Sequence, residues 1–415
     1  MCIRMSLLCV VVSAVAGCSG ESVETAIGNA VAETSPTTEI SQAPAVTASI
    51  PSTINSVADG ETATTRPLVA NVDPVRQKLD EIQLLRTGGG ENDNQIVLAS
   101  LEVLKQTKDD PARESQFLEA IRHLLQARLQ QALSGGQAEV DQLYADVEAL
   151  DKRDPQSEAA AEGIFYLARF AHTKARQPGQ NRTDFYMSFS RWAREFATRF
   201  PQQQERAISL LFGAGRSCEM SAAAASDQDE SAQLRSESKL CYHMLQSGWP
   251  KSSQGQEAAS VLRRFSLPGR KLSQFSGPTL GGSAVRADQF GGRMTLIYFW
   301  DSESREFSDE WLPLLQRVSE QLGPKRIQLV GVNLDDDVSI CRETVESRQV
   351  PGSQICFPDT DETGWNSPLI RFWGVSQSPG AWLLDRKGVV DAVDMSQDQI
   401  VPRIKALLRA AKAQQ

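Results

Sequence analysis

The chain has 415 residues, 43 of them basic and 52 acidic, for a formal charge of −9. That length allows two or three domains, and a hydrophobic fraction of 40% lets most of the chain bury a core. The acidic balance, without clustered Lys and Arg, excludes a nucleic-acid partner, and no glycine-rich phosphate loop or dinucleotide fingerprint occurs, so no cofactor is expected.

Residues 1–17 read as an export signal. Arg4 supplies a positive start, and residues 7–16 form an apolar run too short to span a bilayer. Val15, Ala16, Gly17 and Cys18 together resemble the lipobox of bacterial lipoproteins. The resemblance implies cleavage before Cys18 and a lipid on its sulfur. It places the folded chain in the cell envelope, tethered to a membrane and facing the periplasm. An ordinary signal peptide carrying an incidental cysteine is the alternative. Residues 18–72 continue as a Ser-, Thr-, Ala- and Pro-rich segment without an aromatic side chain. Such a composition cannot offset its ordering entropy by burial, so a disordered spacer is expected.

From 73 to 265 the apolar residues recur at helical spacing. Phe117, Leu118, Ile121, Leu124, Leu125 and Leu129 mark one helix face, with Pro111 at its start. Ile164, Leu167, Ala168 and Ala171 mark a second, and Phe185, Phe189, Trp192, Phe196 and Ala197 a third. Turn residues cluster at 87–94, 109–111, 134–137, 153–155, 178–184 and 221–230. An aromatic-Pro step occurs twice, at Phe200-Pro201 and Trp249-Pro250, between helices rich in small residues. It resembles a degenerate tetratricopeptide pattern. The two prolines lie 49 residues apart, against about 34 for that repeat, and the polar insert 221–230 is expected to absorb the excess. An irregular helical bundle fits equally. Either architecture offers a face for a partner rather than a catalytic centre.

Cys218 and Cys241 flank that insert, and in an exported protein they are expected to form a structural disulfide. His243 stands close by, but the trio lacks a fourth ligand. The other histidines are His123 and His172, so the C-terminal part has none and no metal site is expected.

Residues 266–415 change period. Residues 295–300, 327–332 and 381–384 are continuous apolar runs, as central strands covered on both faces require. Helical stretches at 304–321, 336–348 and 363–373 separate them, which predicts an α/β domain with a partly parallel sheet.

Four segments then resemble a TlpA-like thioredoxin domain of the redoxin superfamily: Phe275 to Gly282, Phe290 to Trp300, Gly331 to Asp335, and Phe372 to Gly388. The resemblance covers 270–410 in the right order and implies a thioredoxin-like fold, with Pro379 as the cis-proline and Ser378 before it. In active relatives a Cys-x-x-Cys follows the strand that ends here at Trp300. The first cysteine sits at a helix N-terminus, where the dipole favours a thiolate, and the second resolves the mixed disulfide. Here Ser304 and Phe307 occupy those places, and neither can exchange with a disulfide. Ser304 as a hydrolytic nucleophile would need a base, and Glu303 and Glu306 are poor activators. A helix cap is the expected role. No catalytic residue is therefore expected at the usual site.

Cys341 and Cys356 remain. A bridge between them would close a loop of about 15 residues and contribute ~3 kcal/mol in the chain-entropy model. A structural staple is expected, and a relocated redox pair is the alternative. Two functions follow: a redox-silent module that holds a protein or extended peptide at Ser378 and Pro379, or a periplasmic thiol-disulfide oxidoreductase acting through Cys341 and Cys356 or a partner's cysteines.

Overall fold

A computed structural model describes residues 73–88, 92–179, 182–358 and 360–413, which belong to one compact unit. The export signal, Cys18 and the spacer lie outside the described residues. Among the described residues, no helix is long and apolar enough to cross a membrane.

The helical region comprises α1 (Pro74–Thr87), α2 (Asp93–Thr107), α3 (Glu114–Ser134), α4 (Gln137–Arg153), α5 (Glu158–Arg176), α6 (Arg182–Arg199), α7 (Gln204–Ala224), α8 (Gln228–Gly248) and α9 (Ser253–Phe265). Each packs on its neighbour in chain order, and α3 also meets α5 while α6 meets α8. Side-chain caps start several of them. Ser157 Oγ accepts from the Ala160 N–H at 3.1 Å and Ser252 Oγ from the Gly255 N–H at 3.0 Å. Pro111 opens a short 3-10 turn, Pro111–Arg113, ahead of α3. The expected polar insert is mostly helix instead. Alanines 222–224 carry α7 onward, and Asp227 caps α8 by accepting from the Glu230 N–H at 2.8 Å.

The C-terminal region holds a two-stranded ribbon, β1 (Ser276–Pro278) with β2 (Ala284–Arg286), and a five-stranded sheet. The sheet contains β3 (Met294–Trp300), β4 (Ile327–Asn333), β5 (Ser353–Ile355), β6 (Gly380–Leu384) and β7 (Val390–Met395), in the order β5-β4-β3-β6-β7. Pairs β3–β4 and β4–β5 are parallel, and β3–β6 and β6–β7 are antiparallel. Helices α10 (Leu312–Leu322) and α11 (Val338–Arg348) make the parallel crossovers, α12 (Pro368–Trp373) precedes β6, and α13 (Gln397–Ala413) closes the chain. Every residue of β3 is buried. Its side chains alternate: Leu296, Tyr298 and Trp300 enter a core with Leu315, Ile400 and Ile404, whereas Ile297 and Phe299 enter one with Leu369, Trp373 and Trp382.

The two regions are joined by a buried ionic hub. Arg264 on α9 is fully buried and pairs with Glu219 on α7 and, at 3.0 Å, with Asp394 on β7. Glu219 also accepts from Ser376 Oγ at 2.6 Å and from the Tyr242 hydroxyl at 2.8 Å. Nearby, Arg263 donates to the Phe372 carbonyl and lies over its ring, 4.0 Å from the centroid. Gly374 ends α12 at φ 60°, and a Cβ there would stand 2.6 Å from the Val261 nitrogen, so only glycine permits this approach of α9.

Candidate functional site

The C-terminal ends of β3 and β4 meet the loop before β6. The Ser378–Pro379 peptide is cis, as the resemblance implies. Ser378 Oγ donates to Asp301 Oδ2 at 2.8 Å, which ties this loop to the residue after Trp300. The Ser302 N–H and hydroxyl both donate to Asp335 Oδ1, at 2.8 and 2.9 Å, and Asn333 Nδ2 donates to its other oxygen at 2.7 Å. The sequence pointed to the proline but gave no signal for the Asp301 contact.

Ser304 and Phe307 are brought together, in structural roles. Ser304 Oγ accepts from the Phe307 N–H at 3.1 Å, so the hydroxyl caps the helix. Phe307 is fully buried, stacked on Trp300 with centroids 4.8 Å apart and facing Tyr298 at 6.3 Å. Arg305 and Glu306 open the helix, Phe307–Trp311 continue it as a π-helical turn, and α10 follows. Glu306 accepts from Trp311 Nε1 at 3.2 Å.

A cavity of about 270 Å³ opens beside this turn. Its walls include Trp311, Ser378, Pro379 and Met395 from the C-terminal region, and Met220 and Ala224 from the end of α7. That α7 wall was not legible in the sequence, because only the hub at Glu219 brings it here.

The four described cysteines are all free and buried. Cys218 and Cys241 do not form the expected bridge, since each thiol points to another partner. Cys218 Sγ donates to the Tyr186 carbonyl at 3.6 Å, and Cys241 Sγ meets Ser190 Oγ at 3.2 Å. Burial pushes the Cys241 thiol up to about 11 and raises Cys218 as well. Cys341 on α11 and Cys356 just after β5 are also unbridged, with Sγ atoms 2.6 Å apart. The contact with Cys356, together with burial, raises the Cys341 thiol. The pair shares a core with Tyr298 and Phe307. Among the described residues, no group of three or more His, Cys, Asp or Glu is placed to hold a metal ion.

The sheet order, the α10 crossover between parallel β3 and β4, and the cis-proline loop before β6 decide the architecture. The C-terminal region, from β1 to α13, has a thioredoxin-like fold. Solved structures similar to it include MTB dsbF, 28% identical over 32% of this chain and 95% of that one, at a TM-score of 0.28. A thiol-disulfide oxidoreductase from Bacteroides fragilis is 23% identical over 33% of this chain and 99% of its own, at 0.30. A secreted Mycobacterium tuberculosis disulfide oxidoreductase homologous to E. coli DsbE is 20% identical over 32% and 96%, at 0.26. No family model and no curated protein matches the chain.

Proposed function

We propose that this chain is an envelope lipoprotein whose thioredoxin-like domain has kept its fold, lost its thiol chemistry and serves to bind a protein partner. One observation carries the reading: Ser304 is spent as a helix cap and Phe307 fills the core where a resolving thiol would stand. The cavity beside Ser378 and Pro379 supplies the binding face, which an extended peptide would enter. Lipid on Cys18 would hold the protein at the membrane, facing the periplasm.

The close approach of Cys341 and Cys356 favours a second reading, a relocated redox pair. Against it, the two residues are only 0% and 6% exposed, and Cys341 has a raised thiol rather than a thiolate. Reduction of insulin by dithiothreitol separates the two. The binding reading expects no acceleration by the protein. Turnover that disappears in Cys341→Ser would replace it with the oxidoreductase reading.

A further inference from the structure

A second cleft, of about 720 Å³, shares Val375 as a lining residue with the cis-proline cavity. It exists only because the two regions dock. Arg216 on α7 and Gln256 and Glu257 on α9 form one side, and Trp365, Ile370 and Arg371 around α12 form the other.

Its chemistry is unlike the core nearby. Trp365 is 44% exposed, whereas Trp300, Trp311 and Trp382 are all below 2%. An indole left half in water at a cleft wall offers a flat apolar face to a ring. Arg371 donates to Asn366 Oδ1 at 2.9 Å but has no carboxylate partner among the described residues. Its guanidinium is an open fork for an incoming carboxylate. Across the cleft Arg216 meets Glu257 at 3.5 Å, both about half exposed, so the pair presents one donor and one acceptor group to the opening. The Gln256 amide adds both kinds of hydrogen-bonding group.

We propose that this cleft binds an acidic saccharide, with a pyranose face on Trp365 and the sugar carboxylate on Arg371. The ring needs a flat apolar surface. Its hydroxyls need groups that both donate and accept, which Gln256, Arg216 and Glu257 supply. The carboxylate needs a cation, and Arg371 is the one lining the cleft that has no acid partner among the described residues. A simple carboxylate leaves the indole unused, and a neutral sugar leaves Arg371 unused. The cleft volume falls within the usual range for small-ligand sites.

Calorimetry on the full chain with glucuronate, glucose and acetate tests this, since the first two differ only in the carboxylate. Saturable glucuronate binding is expected, about tenfold or more tighter than glucose, as a charge-assisted hydrogen bond implies. Acetate is expected not to compete. Arg371→Ala should bring glucuronate down to the level of glucose, and Trp365→Ala should remove binding of both. Both side chains are exposed, so unchanged melting temperatures check that the variants fold. No saturable glucuronate binding, acetate binding as tight as glucuronate, or an unchanged preference in Arg371→Ala would each overturn the assignment.

Discussion

Replacing Arg264 by Met should loosen the junction between the helical and thioredoxin-like regions. The substitution keeps much of the side-chain volume and removes the charge that pairs with Glu219 and Asp394. Breaking one partner out of a buried ion pair costs ~3–5 kcal/mol, because the remaining charge stays desolvated. The upper end is not expected, since Glu219 keeps its hydrogen bonds from Ser376 and Tyr242. A loss of about 3 kcal/mol is the working figure. Glu219→Gln leaves Arg264 with Asp394 and should cost less, on the order of 1–3 kcal/mol. The double variant no longer strands Glu219 as an anion, so its loss should fall short of the sum by about 1–3 kcal/mol. Urea unfolding of all four proteins gives the cycle, and amide hydrogen exchange reports the two regions separately. In Arg264→Met, protection in β7 and α9 should fall before protection in β3. Additivity within about 0.5 kcal/mol, with protection falling equally everywhere, would refute the hub as the joint.

Phe307→Ala should cost about 3–5 kcal/mol, because a fully buried ring stacked on Trp300 leaves a cavity that the sheet cannot close. A shift in the urea midpoint worth less than about 1 kcal/mol would mean the ring is not a packing element. A pH series tests Cys241. Its folded-state value, about 11, lies above its ordinary 9.0, so its contribution is whole below pH 9 and is lost as pH rises toward 11. The gap corresponds to about 2–3 kcal/mol, and Cys241→Ala should flatten the alkaline fall in unfolding free energy by that order; an unchanged slope would show that the thiol is not held neutral.

The thioredoxin-like fold was readable because its strands are unusually uniform. The apolar run ending at Trp300 is buried on both faces, and its residues could not sit anywhere but the middle of a sheet. Short strands are harder to read. The strand beside Cys356 is expected from the sequence and ends one residue earlier, at Ile355, whereas Ser276–Pro278, with three residues, is too short for any period to show. The cap at Ser304 was legible, as serine at a helix start has a local meaning that needs no tertiary partner. The hub was not. Arg263 and Arg264 at the end of α9 look like ordinary basic residues favoured by the helix dipole, and only the arrival of β7 and α7 buries one of them. The predicted Cys218–Cys241 bridge failed for a related reason. Sequence spacing put the thiols on neighbouring helices but not the helix phase that sends them to Tyr186 and Ser190.

The two replacements at the former thiol positions differ in what they preserve. A cysteine at a helix N-terminus does two jobs at once, accepting backbone N–H groups and reacting as an anion. Ser304 retains the first and discards the second, so the turn keeps its cap. The resolving position has no comparable backbone task. It points into a core already walled by Trp300 and Tyr298, where a large ring gains more contact than a small thiol. Restoring cysteine at 304 alone would therefore return a nucleophile without a resolver, and restoring it at 307 would open a void beneath the sheet. The departure from the thiol pair is built into the packing, not confined to one exchangeable surface residue. The proposed binding face beside Pro379 would tolerate that change, since main-chain pairing and the cavity there would depend on the loop and α7 staying in place rather than on sulfur.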